Sequence, residues 1–337
     1  MTDDRIEGRL RIWAPDGIGE VTEGADLVAM VAAALPDLAD GDLVVVTSKI
    51  VSKAEGRTTP GVRDDAIAGE TVRLVARRGP TSIVENHLGL VMAAAGIDAS
   101  NVEPGHLALL PLDPDRSSRD LREGLLAATS RNVAVLVTDT AGRAWRHGQT
   151  DLAIGAAGMQ VLDDHAGRVD GYGNPLAVTA PALVDEIAAA ADLVKGKLAG
   201  RPVALVSGLA HLVLPAGDHG PGARSLPRDL TGDMFALGTR EAVLAAVTGT
   251  AADAFGSPAP AGDFVAALDR LGVQVRTAAG DQPEAVTLAE SPEPALRARV
   301  AAVAHAFGWV VVPPETGPET GTEAGAEGLP RFLPATP

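Results

Sequence analysis

Val133 to Val137 is an unbroken apolar run that stops on Thr138, Asp139 and Thr140, and a second run, Leu43 to Val46, stops on Thr47, Ser48 and Lys49. Short Val-rich runs without polar alternation read as strands buried on both faces, which belong to helix-covered α/β sheets. Ligands of open α/β sheets bind beyond the carboxyl ends of the strands. Both polar termini are therefore candidate edges of one site.

The stretch after the first run concentrates chemistry. Asp139 supplies a carboxylate, Thr138 and Thr140 supply hydroxyls, and Arg143, Arg146 and His147 follow with positive charge, while Gly142 and Gly148 allow a tight turn. An acid beside a group of bases suits a metal ion and a phosphate sharing one site. The alternative is that Asp139 and Thr140 only cap the next turn.

Composition narrows the partners. With 46% hydrophobic residues the 337-residue chain can bury a sizeable core, and at 3% aromatics that core must be Ala, Val and Leu. A formal charge of -16 argues against nucleic acid and anionic membranes as partners, so an anionic substrate needs a local cationic site. The absence of Cys excludes disulfides, thiolate metal sites and cysteine nucleophiles. No run approaches the roughly 18 apolar residues of a membrane span, and no basic segment precedes an apolar one at the start, so a cytoplasmic protein is expected. The only four Lys residues fall in two pairs, Lys49 with Lys53 and Lys195 with Lys197. Lys is a compact point charge suited to phosphate oxygens, although Lys195 and Lys197 could equally be ordinary charges at a helix end.

Taken in order, Leu10 to Trp13 reads as a strand followed by a Pro/Gly loop over residues 14–20, then a helix to Leu35. Residues 64–77 have helical composition. Asp98 and Asn101 form an acid-amide pair that an Asx turn would also explain. Residues 117–129 read as a helix exposing Arg119, Arg122 and Glu123. Residues 160–163 and 176–180 read as strands, 183–194 as a helix delivering Lys195, and 202–206 as a strand. No Walker phosphate loop and no G-x-G-x-x-G turn occurs. From Arg240 onward the pattern changes to a small α+β unit over 241–312, and the Gly/Pro-rich segment 313–337 is expected to be disordered.

The motifs VVVTSKIVSKAEGR, AAAGIDASNVEPG, LPLDPD, VTDTAGRAWRHGQTDLAIGAAG and ADLVKGK, in this order, resemble the γ-glutamyl ligases of the deazaflavin coenzyme F420 over roughly residues 8–240. The resemblance implies a mixed α/β homodimer without a Walker loop, with residues 1–240 as the ligase domain. It implies a ligase that uses GTP to join L-glutamate to the coenzyme F420 precursor through an acyl phosphate, with further γ-linked additions. Metal ligands, for Mg²⁺ or Mn²⁺, are then expected at Asp98, Asp139 and Thr140, with K⁺ as an additional ion. GTP contacts are expected at Asp16, Gly17, Ile18, Gly19, Ser48, Lys53, Asn101, Lys195, Gly196 and Lys197. Arg143 and Arg146 are expected to hold the precursor or the incoming glutamate.

Two departures qualify the resemblance. Archaeal members carry an acidic metal ligand where this chain has Lys197, and longer actinobacterial relatives append a flavin-binding reductase domain for which the remaining residues are too few. A metal-dependent phosphohydrolase and a non-catalytic nucleotide-binding protein are the competing readings.

Overall fold

The structure, a computed structural model, describes residues 9–276, 285–312 and 329–335. The chain divides into two compact units, Met1–Pro227 and Arg228–Pro337.

The first unit runs β1 (Arg11–Trp13), α1 (Leu27–Ala34), β2 (Leu43–Thr47), α2 (Ser48–Ala54), β3 (Thr58–Pro60), α3 (Arg63–Glu70), β4 (Thr71–Arg78), β5 (Thr81–Asn86), β6 (Val91–Ala93), β7 (His106–Ala108), α4 (Pro114–Thr129), β8 (Ala134–Arg143), β9 (Arg146–Ala157), α5 (Leu183–Lys195) and β10 (Val203–Ser207). Its central sheet has the order β1-β10-β2-β8-β9. Only β2 and β8 pair in parallel, and their register sets Thr47 beside Thr138. The two apolar runs therefore end side by side, and Ser48 and Asp139 emerge at one sheet edge.

Alternation along those strands builds a core on each face. Val44, Val46, Val135 and Val137 pack with Val31, Leu35, Leu121 and Leu125 of the α1 and α4 side. Leu43, Val45, Ala134 and Leu136 pack with Val184, Ile187, Ala188 and Ala191 of α5. Each Val, Leu or Ile side chain so removed from water contributes about 1.5–3 kcal/mol. Helix α4 starts where Asp113 accepts a hydrogen bond from the Arg116 amide at 3.0 Å, with Pro114 at the first turn.

Several expectations are corrected here. Residues 64–77 are not one helix: α3 ends at Glu70, and Thr71–Arg78 pairs with β5 as a strand. Less and more exposed residues alternate from Thr71 up to the buried Val75, a period of two that overrides helical composition. Arg122, read as exposed, is buried and donates to the carbonyls of Val133, Asp218, Leu214 and Pro215 and to Asn132 Oδ1. Gly158, at φ 83°, makes room for that guanidinium, which a Cβ would meet at 2.3 Å. The expected strands at 160–163 and 176–180 are irregular chain. The β8–β9 hairpin turns at Ala144 and Trp145, with Trp145 at φ 65°, rather than at Gly142.

The second unit contains α6 (Thr239–Thr248), α7 (Ala261–Arg270), β11 (Val275–Arg276), β12 (Val286–Leu288), α8 (Pro294–Ala306), β13 (Trp309–Val312) and β14 (Arg331–Pro334). Its sheet order is β11-β12-β14-β13. Phe264, Leu268, Leu288, Val300, Trp309 and Phe332 form its core, with Phe264 stacked on Trp309 at 5.0 Å. The expectation of a disordered tail over 313–337 is corrected at β14, which pairs with both β12 and β13 and buries Phe332. Residues 313–328, 336 and 337 lie outside the described residues. Among the described residues no helix is long and apolar enough to cross a membrane.

Candidate active site

Strand β2 passes into α2 without a loop, so Ser48 and Lys49 begin the helix and Lys53 lies one turn beyond Lys49. Ser48 Oγ donates to Asp139 Oδ1 at 2.8 Å, tying the two strand ends together. Lys49 Nζ donates to Asp98 Oδ2 at 2.6 Å and to Ser100 Oγ at 2.7 Å. Asp98 is held in place from behind by a backbone bridge to Ala108, at 3.0 and 2.8 Å. Its Oδ1 accepts from the Ser100 amide at 2.7 Å, the Asx turn anticipated as the alternative explanation of this residue. Turn and site are compatible, because the same carboxylate also reaches Lys49.

On the other side of Asp139 stands a residue the sequence argument did not single out. Asp151 is the cross-strand partner of Thr140 in the β8–β9 ladder. Its Oδ1 accepts from Thr140 Oγ1 at 2.7 Å, and its Oδ2 accepts from Thr138 Oγ1 at 3.0 Å and from Lys195 Nζ at 2.8 Å. Lys195 Nζ also donates to Thr138 Oγ1 at 3.0 Å. Lys197 Nζ donates to Thr140 Oγ1 at 2.5 Å. The end of α5 and the residues just after it thus deliver one ammonium to Thr138 and a second to Thr140, two residues apart on β8.

The electrostatics follow the burial. Burial pushes the Asp139 carboxyl up to about 6, helped by the neighbouring charges of Asp151 and Asp98 and opposed by the Ser48 hydrogen bond and by Lys49. Burial acts upward on Asp98 as well, but hydrogen bonds from Lys49 and Ser100 hold it below its ordinary value. For Asp151 burial is outweighed by the charge and hydrogen bond of Lys195 and by the two threonine hydroxyls, and its carboxyl is also lowered. Asp139 is thereby raised while its neighbours Asp98 and Asp151 are lowered.

A cleft of about 360 Å³ opens over this cluster, lined by Ile18, Gly19, Lys49, Lys53, Asn101, Thr140, Asp151, Lys195, Gly196 and Lys197 among others. Of the expected nucleotide contacts, Ile18, Gly19, Lys53, Asn101, Lys195, Gly196 and Lys197 line the cleft. Ser48 lies beneath it on Asp139, while Asp16 is bound by Arg201 at 2.6 and 3.1 Å, with Gly17 in the same loop. Lys53 is paired with Glu20. Of the expected metal ligands, Thr140 lines the cleft, Asp98 is bonded to Lys49, which lines it, and Asp139 is bonded to Ser48, which does not. Arg143 and Arg146 are not brought to the cluster: they face each other at the exposed tip of the hairpin, four residues beyond Asp139, or about 13 Å along the strand. A larger cavity of about 640 Å³ lies between α3 and the β4–β5 hairpin, lined by residues that make no contact with Asp139.

The donor set is hard. Two carboxylates and a hydroxyl are ligands for Mg²⁺ or Mn²⁺ rather than for soft metals, and Asp139 Oδ2 takes no hydrogen bond among the described residues. No group of three His, Cys, Asp or Glu side chains able to hold a metal is found among the described residues.

The pattern of lysines was the signal for the cations. Lys49 was already marked by its place after Ser48 and its pairing with Lys53, while Asp151 stands in a quoted motif, at GQTDLAIG, without a signal of its own. What sequence could not supply is the hairpin register that faces Asp151 with Thr140.

The sequence model of the F420-0:gamma-glutamyl ligase family matches residues 17–208. The coenzyme F420:L-glutamate ligase of Halobacterium salinarum is 40% identical over 251 residues, which cover 67% of this chain and 95% of that protein. The coenzyme F420:L-glutamate ligase of Archaeoglobus fulgidus is 39% identical over 221 residues, covering 60% of this chain and 88% of its own length. That of Methanothermobacter thermautotrophicus is 36% identical over 218 residues, covering 57% and 86%.

Proposed function

The chain belongs to the F420-0:gamma-glutamyl ligase family, and from that premise we propose that it uses GTP to join L-glutamate to the coenzyme F420 precursor, with further γ-linked additions. It is a ligase. The observation that carries the reading of the site is that Lys49, Lys53, Thr140 and Lys197 line one cleft at the ends of β2 and β8, with Asp98 bonded to Lys49 and Asp139 bonded to Ser48 beside it.

Carboxylates attack a nucleotide triphosphate poorly because both partners are anionic, so the phosphates must be neutralised before transfer. Lys53 and Lys197 both line the cleft, which supports this role for them. The precursor's carboxylate oxygen takes the γ-phosphoryl group and GDP leaves. The glutamate nitrogen then attacks the acyl carbon, phosphate departs with that oxygen, and the amine proton is released to solvent. Asp98, Asp139 and Thr140 would hold a divalent ion, Mg²⁺ or Mn²⁺, which when bound supplies further phosphate neutralisation. Lys49, now on Asp98, must give way for this. Arg143 and Arg146, at the hairpin tip, suit the anionic body of a long precursor rather than its reacting end.

The test is mass spectrometry of the precursor after incubation with the protein, GTP, Mn²⁺ and L-glutamate. A ladder of glutamate additions is expected. Phosphate release from GTP with no ladder would replace ligation by hydrolysis.

A further inference from the structure

Asp151 and Lys195 occupy the floor of the cleft, each with its side chain about 4% exposed. Both Asp151 oxygens are committed: Oδ1 accepts from Thr140, and Oδ2 accepts from Thr138 and Lys195. Two of the three protons of the Lys195 ammonium are likewise committed, to Thr138 Oγ1 and Asp151 Oδ2. The bonds of the pair run within the floor of the cleft.

The consequence falls on Thr140. A hydroxyl has one proton and two lone pairs. Because that proton goes to Asp151, the lone pairs of Thr140 Oγ1 face away from Asp151, toward the cleft, where Lys197 Nζ now donates to one of them at 2.5 Å. We propose that the Lys195–Asp151 pair is a positioning device that fixes the Thr140 hydroxyl as an acceptor for a cation in the cleft, and that Lys195 does not contact the nucleotide.

The geometry explains why the pair is ionic. A neutral acceptor at residue 151 could rotate and offer Thr140 a proton instead, whereas a carboxylate can only accept. Lys195 in turn keeps that carboxylate ionised in a buried place. The proposal rests on the reading of Asp98, Asp139 and Thr140 as a divalent cation site, and it concerns how that site is kept competent.

The experiment measures Mn²⁺ binding to the full chain by calorimetry, with GTP binding measured separately without metal. The neutral apolar pair Lys195→Met with Asp151→Val leaves no buried charge unpaired but removes the acceptor of Thr140. It is expected to weaken Mn²⁺ binding at least tenfold while GTP binding without metal stays within twofold. Thr140→Val should weaken Mn²⁺ binding equally, and Thr140→Ser should restore it. The deciding observation is a cycle: in the Thr140→Val background the apolar pair should cause no further loss, because Asp151 acts through Thr140. Should the apolar pair not fold, Lys195→Met with Asp151→Asn serves with Thr140→Val in its place: the amide can turn and donate to Thr140, so this pair is expected to weaken Mn²⁺ binding at least threefold alone and to cause no further loss in the Thr140→Val background.

Additive losses in the cycle, unchanged Mn²⁺ affinity on removing the acceptor, or a tenfold loss of GTP binding without metal in either pair variant would overturn the inference. Failure of the unsubstituted protein to bind Mn²⁺, with or without GTP, would instead remove the cation reading of the site and this inference with it.

Discussion

Lys195 and Asp151 meet at 2.8 Å and join the last turn of α5 to the middle of β9 beneath the cleft. Removing one partner of a buried pair strands the other charge, which costs about 3–5 kcal/mol, whereas apolar replacement of both is often neutral. Lys195→Met should therefore destabilise the fold by roughly that amount. The double replacement with Asp151→Val should recover most of it. Urea denaturation of the three proteins checks this, and equal losses in the single and double variants would contradict it.

Asp139 gives the stability of the metal-free protein a pH dependence. Its carboxyl is pushed up to about 6 in the fold by burial, against about 3.9 in an unfolded chain. Between these values the folded state holds a proton that the unfolded state has lost. The contribution of Asp139 to stability is thus full below about 4 and declines as pH rises to about 6. Asp139→Asn should flatten that decline in denaturation curves collected across the window. Divalent binding, which needs the ionised carboxylate, should strengthen over the same interval.

The same substitution tests the role of the strand end. Asp139→Asn keeps the side-chain shape but removes a hard anionic ligand, so ligation should be lost while the circular dichroism spectrum is retained. Asp98→Asn should behave similarly. Activity within twofold of the unsubstituted protein for either would reduce that residue to its turn or its Ser48 bond.

Lys197→Glu reverses a charge that now sits on Thr140. At low ionic strength the KM for GTP should rise at least tenfold, and the nucleotide dependence should be steeper in salt for the native Lys. An unchanged KM would make Lys197 an ordinary charge at the end of α5.

The first unit contains the cores on both faces of the central sheet and every residue named in the cleft. A chain ending at Pro227 should therefore fold and retain glutamate addition, and the full chain should bind no FMN. Loss of all ligation in a folded truncated protein, or stoichiometric FMN uptake by the full chain, would overturn this.

What sequence made legible follows from what each signal depends on. Val133 to Val137 and Leu43 to Val46 declared themselves as doubly buried strands because continuous apolar runs need no partner to be recognised. The Asp139 end followed from them. Thr71–Arg78 was misread because three-stranded pairing with β5 and β6 overrode the composition of the preceding helix. Arg122 looked like surface charge, since its five oxygen partners lie at residues 132–133 and 214–218, which only folding brings together. Arg143 and Arg146 were placed beside Asp139 by closeness in sequence, but a ten-residue strand carries them away from it. Asp151 was hidden because a cross-strand register cannot be counted along one strand.

The acyl phosphate is the step on which the account most depends, and isotope transfer tests it directly. With the precursor's carboxylate labelled in heavy oxygen, the oxygen that attacks the γ-phosphorus must leave with phosphate when the glutamate nitrogen displaces it. The account predicts one labelled oxygen in the released phosphate for each first glutamate added by the unsubstituted protein, and none from Asp139→Asn. Glutamate addition with unlabelled phosphate would contradict activation of the carboxylate by GTP at this site.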